Sequence, residues 1–267
     1  MLDSYSKISG NKSLKDIRII GSYESFSYRL SGILSKNRRA IFINLREQLE
    51  LGVRYFEMNL ELDGDTLNLM AGGKKTGLTF SDVQWNFKNF LEDNSKEFIL
   101  LKITKSKKSS LINWQNAIKR SMDISFVSMK VNQSSTLRLQ NIRGKVLIID
   151  CEGFGNYPFI GREYVGLRTS YDKIPSSLWK LGLSEPDFLR KFYYGPNSVK
   201  PALFHNEISK QVFEVIDFYR SSSREVLEKI YSSTGIHIFT FPERYELLCQ
   251  SVTEILKHNK NVERITG

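Results

Sequence analysis

The chain has 267 residues, 40% of them hydrophobic and 12% aromatic, enough to bury one large core. A charged fraction of 25%, with only 17 Gly and 6 Pro, excludes the disordered, collagen-like and coiled-coil classes. The net charge of +10 points toward nucleic acid, phosphate-bearing ligands or an anionic membrane surface, unless it serves solubility alone.

In chain order, Met1 to Ile20 carries neither an apolar h-region nor a small-residue cleavage site. The longest apolar runs, Phe98–Leu101 and Val146–Ile149, fall far short of the ~18 to 20 residues a membrane span needs. A cytoplasmic or non-classically exported protein with peripheral membrane contact is expected. Ile17–Ile20 reads as a strand ending in Gly21-Ser22. Asn44 and Glu47 have capping-box spacing, opening a helix with Leu45 and Leu49 behind it and Gly52 at its stop. Val53–Leu62 is a strand, Asp63-Gly64-Asp65 a turn and Leu67–Gly72 a third strand. Thr79 opens a helix whose apolar residues are Phe80, Val83, Phe87, Phe90 and Leu91. Glu97–Thr104 is a strand, Leu111–Ser121 a helix around Trp114, and Lys145–Asp150 a fifth strand.

Further on, Tyr164–Ser170, Pro201–His205 and Gly235–Phe241 read as strands. Asn206–Arg220, Ser223–Ser232 and Glu243–His258 read as helices. Alternation of this kind predicts a single α/β domain over 1–267, a distorted TIM-type (β/α)8 barrel with one hairpin-like step lacking a helix. The two cysteines, Cys151 and Cys249, form neither a disulfide framework nor a zinc site, and Cys151 has no histidine in sequence range. His205, His237 and His258 are the only histidines, and each reads as structural.

The second strand is the informative one. By period two, Phe56, Met58, Leu60 and Leu62 share one face, and Val53, Tyr55, Glu57, Asn59 and Glu61 the other. A barrel turns its apolar face outward to helices, so Glu57 and Asn59 point inward near the strand's C-terminal end, where barrel active sites are built. A buried carboxylate needs a partner, either in a structural ion pair or in a ligand or metal site. Lys74 and Lys75 after the third strand, and Lys102, Lys105, Lys107 and Lys108 in or after the fourth, crowd the same rim. They suit a phosphorylated ligand or an anionic surface, or are a solvated charge run.

Taken together, these stretches resemble the X domain of phosphatidylinositol-specific phospholipases C. Ile17-Arg18-Ile19-Ile20-Gly21-Ser22-Tyr23-Glu24-Ser25 is similar to the opening motif, a strand ending in Pro-Gly-Thr/Ser-His-Asp/Asn-Ser/Thr. Gln48-Leu49-Glu50-Leu51-Gly52-Val53-Arg54-Tyr55 resembles Gln-Leu-x-x-Gly-x-Arg-Tyr. The strand ending Met70-Ala71-Gly72 stands where the family has His-Gly. Phe90-Leu91 with Asn94-Ser95 and Glu97 resembles Phe-Leu-x-x-Asn-Pro-x-Glu, and Thr136-Leu137 and Arg143-Gly144-Lys145-Val146 precede the fifth strand as in the family. The resemblance covers about residues 16 to 108 and 136 to 150, and 151–267 would complete the barrel.

The resemblance implies a barrel that cleaves glycerol–phosphate diesters with two histidines, a general base after strand one and a general acid after strand three. Here those positions are Tyr23 and Ala71. A phenol is a poor base at neutral pH and a methyl group transfers no proton, and losing such a group costs about 10² to 10⁴ in rate. Where metal-independent members have Asp and Arg, and calcium-dependent ones Glu and Asp, this chain has Glu57 and Asn59. Thr104 replaces the Lys or Glu of the fourth strand. With Glu24, this set leans toward oxygen ligation of Ca²⁺ or Mg²⁺. The leading expectation is a catalytically degenerate barrel binding a phosphorylated lipid headgroup. The alternatives are a metal-assisted phosphodiesterase using Glu24, Glu57 and Asn59, a chain in which a histidine at 71 was replaced by design, and an interaction scaffold whose lysine rim meets an acidic protein. Nucleic acid is not expected.

Overall fold

In a computed structural model, the structure describes residues 5–13, 17–22, 24–30, 43–106, 108–122, 138–150, 152, 154, 159–161, 202–205, 212–219 and 235–240. Its strands are β1 (Arg18–Ser22), β2 (Tyr55–Asp63), β3 (Thr66–Ala71), β4 (Lys74–Thr79) and β5 (Phe98–Lys105). They continue as β6 (Lys145–Asp150), β7 (Phe159–Gly161), β8 (Ala202–His205), β9 (Val212–Tyr219) and β10 (Gly235–Thr240). The α-helices are α1 (Leu45–Glu50), α2 (Phe80–Asp93), α3 (Leu111–Ser121) and α4 (Leu139–Ile142). Among the described residues, no helix is long and apolar enough to cross a membrane.

Local chemistry accounts for the helices. Asn44 caps α1 with both halves of the expected capping box, its side chain accepting from Glu47 N and its own N–H donating to the Glu47 carboxylate. Thr79 and Asp82 form a second box at the start of α2. The helix turns Phe80, Val83, Phe87 and Leu91 inward, and Phe87 meets Phe56 of β2 with ring centroids 5.1 Å apart. On α3, Trp114, Ala117 and Ile118 are buried, and the Trp114 indole N–H donates to Leu60 O at 3.1 Å. The apolar face of β2 therefore packs outward against α2 and α3, each buried side chain contributing about 1.5–3 kcal/mol.

Among the described residues, ten strands join one mixed sheet in the order β1-β10-β9-β8-β7-β6-β5-β2-β3-β4. In addition, β1 pairs in parallel with β2 through Gly21–Tyr55 and Ser22–Phe56. The sheet thus comes round on itself through a seam of two residue pairs, without the continuous ladder of a regular barrel. Three departures correct the expected (β/α)8 pattern. Steps β7–β8 and β8–β9 are antiparallel. The expected β2–β3 hairpin gains a further strand, β4, and becomes a meander on one side of β2. Lys74 and Lys75 lie in β4, which pairs with β3, rather than in a loop after it.

The helix expected over Asn206–Arg220 is replaced by β9 from Val212 to Tyr219. Val212, Val215, Ile216 and Tyr219 have helical spacing, but the segment is paired on both edges, and a strand flanked that way carries a nearly continuous apolar run that mimics a helix stripe. The expected strand Tyr164–Ser170 and helices Ser223–Ser232 and Glu243–His258 lie outside the described residues.

At the N-terminal ends of the strands, a buried ion pair together with Tyr5 and Ser6 forms a floor. Arg54 Nε donates to Glu97 Oε2 at 2.9 Å, both side chains 3% exposed. The guanidinium also donates to Leu49 O and Val53 O and lies 4.8 Å from the Phe90 ring centroid. Ser6 N donates to the other Glu97 oxygen, and the Tyr5 hydroxyl accepts from Ile20 N.

Candidate functional site

Register decides what shares the inner face at the opposite end. In the parallel pair β2–β5, Glu57 stands beside Lys102 and Asn59 beside Thr104. Both contacts form. Lys102 Nζ donates to Glu57 Oε1 at 3.2 Å, the two side chains 7% and 12% exposed. The Tyr55 hydroxyl donates to the same oxygen at 2.9 Å. One step toward the strands' C-terminal ends, Asn59 Nδ2 donates to Thr104 Oγ1 at 3.2 Å. Further on, Glu61 accepts from Ser106 Oγ at 3.2 Å, with the Lys108 ammonium 3.9 Å away. The inner face therefore rises from a charged pair through a neutral amide–hydroxyl pair to an acidic residue met by the rim.

The loop after β1 is tied to this face by Ser25. Its Oγ accepts from Glu57 N at 2.8 Å and donates to Ser22 O, and its carbonyl accepts from Gln48 Nε2 at 2.8 Å. Glu24 takes a left-handed backbone, φ 43°, unusual for a residue with a Cβ. Its carboxylate accepts from Gly72 N at 3.2 Å. The residue just after position 23 is thereby bonded to the residue just after position 71. Tyr23 itself lies outside the described residues. Ala71 is buried and follows Leu67 and Leu69 on the buried side of β3, whereas Met70 pairs with Asn59.

Of the expected site residues, Glu57, Asn59 and Thr104 converge, and Glu24 joins them through the β1 loop. Lys102, seen in the sequence only as one of a crowd of lysines, is the residue whose role was missed. Its period-two position in β5, next to a strand carrying an inward carboxylate, was the available signal. The lysine rim is less uniform than expected. Lys75 pairs with Asp63 on the β2–β3 hairpin. The Lys105 ammonium donates to Ser106 O and Ser109 O, both at 2.9 Å. Lys74 is at the start of β4, opposite Ala71, Lys108 is exposed near Glu61, and Lys107 lies outside the described residues.

As arranged, the donor set does not fit Ca²⁺ or Mg²⁺. Such an ion wants several oxygens facing one point. Here the Glu57 oxygen is held by an ammonium and a phenol, and the Glu24 oxygen by a backbone N–H. Among the described residues, no group of three or more His, Cys, Asp or Glu side chains could hold a metal ion.

No family model matches the chain. It is similar to the 1-phosphatidylinositol phosphodiesterase of Listeria monocytogenes, 23% identical over 278 aligned positions that cover 96% of this chain and 84% of that protein. The structure of the phosphatidylinositol-specific phospholipase C from Listeria monocytogenes matches with a TM-score of 0.60 and 19% identity, over 95% of this chain and 96% of that one. A phosphatidylinositol-specific phospholipase C from Staphylococcus aureus matches with a TM-score of 0.60 and 14% identity, over 93% and 95%. These likenesses span nearly the whole chain and show its fold as the TIM-type barrel of the bacterial phosphatidylinositol-specific phospholipases C, here on a mixed sheet.

Proposed function

We propose that the chain is a phospholipase-C-like protein that binds a phosphorylated inositol-type headgroup at the β1–β2–β5 end of its barrel and has lost histidine-driven cleavage. The observation that carries this reading is the inner face itself. Lys102 brings a cation toward the place where a phosphodiester would enter, and Asn59 and Thr104 supply the neutral amide and hydroxyl that a polyhydroxylated ring pairs with. The likeness to phosphatidylinositol-cleaving enzymes over nearly the full chain supports the ligand class. Tyr23 and Ala71 support the loss of proton transfer.

Calorimetric titration with glycerophosphoinositol and inositol phosphate tests the binding. The parent is expected to bind, and Asn59→Ala and Thr104→Ala to bind about tenfold or more weakly each, one lost hydrogen bond apiece. Absence of binding by the parent would overturn the reading. In a hydrolysis assay in EDTA, cyclic inositol phosphate should not form at an enzyme-like rate of about 1 s⁻¹ or faster. Installing both histidines (Tyr23→His with Ala71→His) should not restore cleavage, because Asn59 stands where metal-independent members of the resembled family carry arginine.

A further inference from the structure

We infer that the Glu24 carboxylate is an internal anion, held on the backbone N–H of Gly72 where a ligand phosphate docks, and that it withdraws when the phosphate arrives. The inference rests on the headgroup reading above and adds a regulated contact for the phosphate at the β3–β4 turn.

The place is a gap in the sheet. One edge of β2 is taken by β5 from Tyr55 to Leu60. The opposite edge changes partner, from β1 at Tyr55 and Phe56 to β3 from Asn59 onward. Glu57 and Met58 fall between these two ladders. Where neighbouring strands diverge in this way, a crevice opens at the strand ends, and α/β sheets take their ligands in such crevices.

Two consecutive residues of the loop after β1 close the gap. Ser25 Oγ accepts from Glu57 N at 2.8 Å, and the Glu24 carboxylate reaches across to accept from Gly72 N at 3.2 Å. Gly72 and Gly73, with φ 52° and 73°, form a two-residue turn between the paired Ala71 and Lys74. Ladder bonding in such a hairpin falls on the residues flanking the turn, so the first N–H of the turn is turned outward to an acceptor from elsewhere. Glu24 and Gly72 are both half-buried, within reach of a solute.

The contact is built to be exchanged. Glu24 makes it from a left-handed backbone, φ 43°, the one non-glycine with positive φ among the described residues, and that conformation is costly for a residue with a Cβ. Its 3.2 Å bond is longer than the roughly 2.7–2.9 Å of a strong charge-assisted bond. A phosphomonoester brings more acceptor oxygens and more charge than a carboxylate to the same N–H and to the exposed Lys74 beside the turn. While Glu24 holds the amide, apparent affinity is reduced to the fraction of molecules in which it has withdrawn.

Titration of the parent, Glu24→Gln and Glu24→Asp with inositol phosphate at fixed ionic strength tests this. Glu24→Gln, a weaker and uncharged acceptor, should bind about tenfold more tightly than the parent. Glu24→Asp separates displacement from plain repulsion. It keeps the charge but is one methylene too short to reach Gly72, and it accepts the left-handed backbone more readily. It should also bind severalfold more tightly, whereas repulsion alone would leave it like the parent. Glycine-selective isotopic labelling reads the amide directly. The Gly72 resonance should move with inorganic phosphate in all three proteins, at lower concentration in the two variants.

Parent-like or weaker binding by both variants, parent-like binding by Glu24→Asp alone, or a Gly72 resonance indifferent to phosphate would each overturn the inference. If Gly72 takes inorganic phosphate more readily in the variants while Asn59→Ala and Thr104→Ala leave inositol phosphate binding unchanged, the headgroup reading falls and the role of Glu24 stands. If inositol phosphate binds through Asn59 and Thr104 and neither Glu24 variant tightens it, the role of Glu24 falls and the headgroup reading stands.

Discussion

Glu57 and Lys102 sit almost out of reach of solvent, and each is tolerable there only because of the other. Lys102→Met should therefore destabilise the protein by about 3 kcal/mol, taking from a buried carboxylate the cation that balances its charge. Adding Glu57→Gln should recover most of that loss, and urea unfolding of the four proteins in the double-mutant cycle checks it. Gly21 is a second sensitive residue. A Cβ there would lie 2.6 Å from Tyr55 Cδ1, so Gly21→Ala must move the ring that donates to Glu57. The expected cost is about 1–3 kcal/mol, with a weakened titration for inositol phosphate as the second readout.

A third residue gives a pH dependence. Burial pushes the Tyr5 hydroxyl well above its ordinary value of 10.0, although the bond from Ile20 N opposes the shift. The native state keeps this proton where the unfolded chain releases it. The Tyr5 contribution is therefore complete below pH 10.0 and is lost as the pH rises above it. Tyr5→Phe should be less stable at neutral pH, losing the acceptor for Ile20 N, yet show a shallower alkaline decline between about pH 9 and pH 11.

Among the elements, α1 is short and depends on its ends. Asn44→Ala removes the acceptor for Glu47 N and should cost about 1 kcal/mol, read as a lower urea midpoint. That helix has a positional consequence, since Gln48 bonds back to Ser25 O and Ser25 holds Glu57 N. β4 behaves differently. Its stretch Lys74-Lys75-Thr76-Gly77-Leu78-Thr79 has one buried residue, Thr76, and Gly77 takes φ +81°, so the strand exists because β3 offers it a backbone edge.

For the whole molecule, the N-terminal segment is a structural part of the barrel floor. Tyr5 packs edge-on against Phe98 with centroids 5.3 Å apart, Ile8 is buried, and the Arg143 guanidinium donates to Ile8 O. Deleting residues 1–13 should remove at least two buried side chains worth about 1.5–3 kcal/mol each, and thermal unfolding should show a clearly lower midpoint or no cooperative transition. Two motifs quoted for the resemblance meet in this floor. Arg54 and Glu97, 43 residues apart, are a buried ion pair, so those motifs mark the architecture more than the chemistry.

By itself, the sequence determined what depends on short-range pattern. The capping box at Asn44, the helix start at Thr79, the full extent of α3, the turn at Gly64-Asp65 and the two faces of β2 all follow from spacings within a few residues. Tertiary structure decided what depends on pairing between distant segments. Only the β2–β5 register sets Lys102 against Glu57, and only the placement of the β1 loop bonds Glu24 to Gly72. The two-sided pairing of β9 overrides a helix-like stripe, and an edge left open by β3 recruits Lys74 and Lys75 into a strand. Backbone hydrogen bonding in a sheet is satisfied by partners far along the chain, and no local periodicity encodes which partner arrives.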